Sequence, residues 1–146
     1  MHTFDDLIGI IAELRSDHGC PWDKEQTFES LKKCLADEAQ EVFEAVDNKD
    51  MENLCEELGD VLFQVMFHSE IEAEQGNFTV DDVVNGICEK MIRRHPHVFL
   101  EEKSNKDIKS IDKVLEKWEN IKVQERGDKR VTSRMEKVPK ALPALT

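Results

Sequence analysis

Two stretches of helical pattern joined by the short polar turn DNKD constrain this chain more than anything else in it. So brief a connection leaves two helices one arrangement, antiparallel and side by side. The first stretch is predicted to run from an N-cap at Thr27 to about Val46, the second from about Met51 to Gln75, ending before Gly76. Each carries a carboxylate pair at i, i+3: Glu38 and Glu41 in ADEAQEV, Glu57 and Asp60 in EELGDVL. Glu38 shares its stripe with Leu31, Cys34, Leu35, Val42 and Ala45, and Glu57 sits between Leu54, Leu58 and Val61. The end of the first helix then lies opposite the start of the second, with axes about 8–10 Å apart, so the acid pairs can meet. Acids on a core-facing stripe are costly unless positive charge meets them, and these helices offer no equally obvious basic partner. That points to a metal ion, and oxygen donors without an ExxH pairing favour magnesium or manganese over iron or zinc.

A chain of 146 residues makes one domain with a core of its own. The apolar run VLFQVMF makes the second of the paired helices the central element of a bundle. With 20 basic and 32 acidic residues the formal charge is −12, which repels nucleic-acid backbone and anionic membrane, so neither is an expected partner. A phosphate-bearing ligand would need a local basic patch or bridging cations. Cys20, Cys34, Cys55 and Cys88 lie far apart without metal-site spacing, and the last three fall in helical patterns, so buried free thiols are expected. MHTFDDL has no basic-then-apolar signal and no apolar run approaches a membrane span, so a cytoplasmic location is expected.

The remaining chain also reads as helix. Thr3 and Asp6 resemble a capping box, and Phe4, Leu7, Ile8, Ile11 and Leu14 repeat at helical spacing in a helix that stops near Gly19. GCPWDKEQT reads as a rigid turn, with Trp22 plugging the core or, less expected, lining a pocket. Thr79 and Asp82 suggest a second capping box, opening a helix whose stripe is Val83, Val84, Ile87, Met91 and Ile92 and which closes at His95-Pro96. HPHVF is expected to bury Val98 and Phe99, and EEKSNKDIKS to form a mobile polar loop. Ile108, Ile111, Val114, Leu115, Trp118 and Ile121 pattern a last helix ended by Gly127. The expected organisation is a module over 1–127 and a tail or linker over 128–146.

Beyond the acids, Lys90 and Arg94 are four apart on one face and suit phosphate, while Trp118 and Lys122 could stack a base and touch phosphate. The bland alternatives are a solvated acidic face, a salt-bridged surface stripe and a core tryptophan. His68, His95 and His97 have no nucleophile at a telling spacing. Acids and bases together describe magnesium-dependent phosphoryl chemistry.

The run GCPWDKEQT, the E-x-x-E and E-x-x-D pairs, and KMIRRHPHVF followed by KWENIK resemble the MazG nucleoside triphosphate pyrophosphohydrolases along essentially the whole chain. The resemblance implies an all-α fold with a four-helix-bundle core and an additional C-terminal helix. It also implies a homodimer or higher homo-oligomer built through that core. The implied reaction hydrolyses nucleoside triphosphates to monophosphate and pyrophosphate with Mg2+, or Mn2+ in its place. Matched onto this chain, the metal ligands and catalytic acids are Glu38, Glu41, Glu57 and Asp60, with Glu41 a candidate general base. Lys90 and Arg94 match a phosphate-contacting K-x-x-x-R, and Trp118 and Lys122 a W-x-x-x-K that closes over the nucleotide. Longer relatives carry two such modules in tandem. This chain resembles the first, VPKALPALT resembles the start of the connector, and Asn53 stands where an active module often has a basic residue. The alternative functions are a catalytically weak metal-binding dimerisation module and a plain helical interaction domain.

Overall fold

The computed structural model describes residues 1–99 and 110–127, and among them the secondary structure is entirely helical. The chain divides into two compact units, Met1–Gly86 and Ile87–Thr146, with the boundary inside a helix.

The first unit holds α1 (Phe4–Arg15), α2 (Pro21–Glu25), α3 (Phe28–Asn48), α4 (Met51–Glu74) and the start of α5 (Val80–Arg94). Local chemistry sets these limits. Thr3 and Asp6 close a reciprocal capping box on α1, and Thr27 and Ser30 do the same on α3. Between α3 and α4 the chain turns on Lys49, whose φ of 56° puts it in the left-handed region, and Asp50 then caps α4 by accepting from the Asn53 amide. At α5 the Thr79 amide donates to the Asp82 carboxylate at 2.8 Å.

The α3–α4 hairpin is the scaffold, and α1 packs across α4. Ile11, Leu31, Met66, Phe67 and Ile71 form the buried core, with Leu7, Ile8, Phe28, Cys34, Phe63 and Val80 packed on it. Each large side chain so enclosed stabilises the fold by about 1.5–3 kcal/mol. His68 packs too, its ring stacked on Phe28 at 5.5 Å.

Arg15 ties the unit together. Its side chain, 7% exposed, forks onto Glu74 at 2.6 and 2.8 Å. It also donates to the carbonyls of Asp23 and Gln26 and lies over the Phe67 ring. The turn beyond α1 admits only glycine at position 19, where a Cβ would meet the Glu13 carbonyl oxygen at 2.1 Å.

Several expectations fail here for one reason. Periodicity names an apolar face without saying what covers it. GCPWDKEQT contains a short helix begun by Pro21 at its first position, and Trp22 is 61% exposed rather than plugged into the core. Cys34 is half-buried and Cys55 and Cys88 are exposed, so none of the three is the buried thiol expected. Val83, Val84, Ile87 and Ile92 are exposed along α5.

The second unit holds the rest of α5, then α6 (Pro96–Phe99) and α7 (Ile111–Arg126). HPHVF is a helical turn rather than an irregular one; Pro96 is buried, whereas Val98 and Phe99 are exposed. Ser110 caps α7, and Gly127 ends it with a φ of 58°. The expected loop over 101–109, Ile108 within it, and the tail over 128–146 lie outside the described residues. Among the described residues no helix is long and apolar enough to cross a membrane.

Candidate functional site

Two seven-residue progressions aim the acids of the first unit. On α3, Leu31 and Ala45 are buried on either side of Glu38, at steps of seven, so Glu38 lies on the packed face. On α4, Glu57, Gln64 and Ile71 repeat at the same step and all three are buried, Glu57 to 8% exposure. Since α3 and α4 pack along their lengths, the stripes bring carboxylates together. Oxygens of Glu38, Glu41 and Glu57 all lie within 4.8 Å of one another. Asp60, one turn beyond Glu57, is exposed and outside that set, but its charge is felt by both Glu38 and Glu57.

This crowding has an electrostatic signature. The Glu38 carboxyl is pushed above the usual range, first by burial and then by the charges of Asp60 and Glu41. Glu57 is pushed the same way, by burial and then by its hydrogen bond and charge contact with Glu41. Hard divalent ions hold oxygens at about 2.0–2.6 Å, so ligands on opposite sides stand about 4–5 Å apart, as these three do. The donor set fits such an ion, with Glu38, Glu41 and Glu57 as ligands and Asp60 within one helical turn. Gln64 Oε1 is enclosed on the same stripe with no hydrogen-bond partner among the described residues.

The second unit gathers the basic and aromatic candidates. Lys90 and Arg94 are half-buried, one turn apart on α5. Arg94 donates through Nε and Nη2 to Glu125 at 3.1 and 2.8 Å, and Arg93 donates to the other oxygen of the same carboxylate at 2.6 Å. These two guanidiniums hold the Glu125 carboxyl down at about 2. On α7, Lys122 Nζ sits 4.7 Å from the centre of the Trp118 ring and also donates to Glu119 at 2.7 Å. The Trp118 ring meets His95 at 5.5 Å, and its enclosed indole N–H has no partner among the described residues. His95 Nδ1 lies 2.6 Å from the Met91 carbonyl, so that nitrogen carries the proton and donates.

Comparison with known proteins places these features in a family. The MazG nucleotide pyrophosphohydrolase domain matches residues 26–99, the segment bearing all four acids together with Lys90 and Arg94. The chain belongs to the MazG family. It is 46% identical over 143 residues to the nucleoside triphosphate pyrophosphohydrolase/pyrophosphatase MazG of Thermotoga maritima, covering 98% of this chain and 52% of that relative. It is 49% identical over 147 residues to the uncharacterized protein YabN of Bacillus subtilis, covering 99% of this chain and 29% of that one. The chain thus spans about half or less of the length of these relatives. Among solved structures, the crystal structure of a mazG-related protein from Thermotoga maritima aligns with a TM-score of 0.65 at 31% identity, covering 81% of this chain and 97% of that one. The all-α MazG fold agrees with the helical expectation.

Sequence reasoning overlooked three residues of this MazG chain. Gln64 could have been found, since it continues the seven-residue step from Glu57. So could Glu125, seven residues after Trp118. Arg15 had no local signal, because its partner Glu74 lies 59 residues away.

Proposed function

We propose that this chain is a magnesium-dependent nucleoside triphosphate pyrophosphohydrolase module, releasing nucleoside monophosphate and pyrophosphate. The convergence of the Glu38, Glu41 and Glu57 carboxylates in a chain of the MazG family carries this reading. Glu38, Glu41 and Glu57, with Asp60, would hold Mg2+, and Mn2+ suits the same oxygens. When bound, the ion supplies positive charge for the phosphate oxygens and the attacking water.

The chain's own residues do the rest. Glu41 is exposed among the three and takes a proton from water as that oxygen bonds to phosphorus and the bridging P–O bond breaks. Lys90, Arg94 and Lys122 offset charge on the departing pyrophosphate, and Trp118 stacks the base without selecting it. We also read the chain as a homodimer or higher oligomer. Leu58, Leu62 and Val65 leave an exposed apolar stripe on α4, at a spacing that suits a second helix.

A panel of nucleoside triphosphates assayed with magnesium, separating pyrophosphate from orthophosphate, tests the reaction. Pyrophosphate release is expected from the wild type and at least about a hundredfold less from Glu38→Gln and Asp60→Asn. Turnover that persists in both variants places the site elsewhere. Metal binding without turnover selects the weak dimerisation module.

Magnesium should also stabilise the fold by mass action. At about 100 times its dissociation constant, a ligand specific to the folded state adds about 2.7 kcal/mol, a rise of several degrees in melting temperature. A magnesium titration that leaves the melting curve where chelator put it contradicts the metal site.

A further inference from the structure

We propose that Glu125 is a positioning residue, fixing α7 against the last turn of α5 so that Trp118 and Lys122 are presented to substrate in one orientation with Arg94. This rests on the pyrophosphohydrolase reading, and it concerns a residue which that reading does not use.

Four observations within the second unit carry it. Glu125 shares its helix face with the two α7 candidates, because Trp118, Lys122 and Glu125 stand at i, i+4 and i+7. Its carboxylate spans two guanidiniums from α5, taking Arg93 on one oxygen and both Nε and Nη2 of Arg94 on the other. The side chains of Arg94 and Glu125 are 18% and 19% exposed and that of Arg93 is 55%, so the Arg94 fork is the better shielded of the two contacts. His95 against Trp118, nearly two turns earlier on α7, supplies a second point of attachment. Two points on one face set a helix's rotation as well as its distance.

The geometry also separates orientation from neutralisation. Two arginines against one carboxylate leave a positive charge for phosphate. Arg94 turns its Nε/Nη2 edge to Glu125, which directs the Nη1 side elsewhere. A guanidinium held along one edge is prepared to receive phosphate along another.

The test pairs kinetics with a spectroscopic readout independent of turnover. Glu125→Gln is compared with Glu125→Asp, which keeps the charge, and with Glu116→Gln, which removes one charge from an exposed position on α7. We expect KM for the triphosphate to rise about tenfold in Glu125→Gln with kcat within about twofold, and both comparison variants to stay within about threefold of wild type. The chain has two tryptophans, so a Trp22→Phe background leaves Trp118 as the reporter. Acrylamide quenching of Trp118 should increase in Glu125→Gln and not in Glu116→Gln. Melting curves establish that each variant is folded; if Glu125→Gln is not, Arg93→Gln carries the same comparison, decided by whether Trp118 quenching rises above that of Glu116→Gln. Unchanged KM and quenching, with wild-type pyrophosphate release intact, overturn the positioning role alone. A wild type that releases no pyrophosphate overturns the functional reading, and quenching still decides whether Glu125 holds α7.

Discussion

Glu57→Gln is expected to melt a few degrees higher than the wild type in chelator at neutral pH, and to hydrolyse nucleoside triphosphate about a thousandfold more slowly. Both effects come from one cause. Glu57 is buried beside Glu41 and within the field of Asp60, and its carboxyl is held above the ordinary value of 4.5. Glu38 is raised too, by burial and by the charges of Asp60 and Glu41. A raised acid binds its proton more tightly in the folded than in the unfolded chain. Its favourable contribution is therefore complete below the unfolded value and fades as pH climbs through the folded one. Without metal, stability should fall as pH rises from about 4.5, and Glu57→Gln should flatten that slope. The amide keeps the shape and an acceptor oxygen but removes the repulsion, and with it the charge that would hold a cation. Melting in chelator from acid to neutral pH, alongside pyrophosphate release with magnesium, measures both halves. A variant that melts lower at neutral pH, or that still turns over, contradicts the account.

Arg15→Ala should cost about 3 kcal/mol of stability, the largest loss expected from any single charged side chain in the first unit. The guanidinium is nearly enclosed and does four things at once: it forks onto Glu74, donates to two carbonyls near α2, and covers Phe67. Its removal leaves the Asp23 and Gln26 carbonyls short of a donor and opens space over the ring. In Glu74→Gln the amide keeps an acceptor oxygen and the guanidinium keeps the two carbonyls and the ring, so the loss should be smaller, about 1 kcal/mol. The asymmetry sets a nearly enclosed guanidinium against a partly exposed carboxylate. Urea midpoints for the two variants and their double mutant measure it. Equal losses from both would mean that the ion pair dominates rather than the carbonyl and ring contacts.

What the sequence made legible was local. The caps at Thr3 and Thr27, the Thr79–Asp82 contact before α5 and the stop at Gly127 are read from a few neighbouring residues, and all sit where the spacing put them. The convergence of Glu38 with Glu57 followed from two stripes and a short turn, and the structure brings these together with Glu41. What remained hidden depends on partners distant in sequence. Arg15 and Glu74 show no pairing in any helical window, and the arginines that hold Glu125 lie 31 and 32 residues before it. Trp22 and the α5 stripe teach the converse point, since an apolar side chain can follow the helical repeat and still face outward.

Lys49 carries a consequence for how such a chain can diverge. Its left-handed backbone lets a single residue separate Asn48 at the end of α3 from the Asp50 cap of α4. Each residue added or lost at that joint would turn α4 by about 100° about its own axis. One insertion there would swing Glu57 off the α3-facing side and bring a neighbour round in its place. Drift in hairpin length could therefore silence the acidic centre while every carboxylate is still spelled out in the chain.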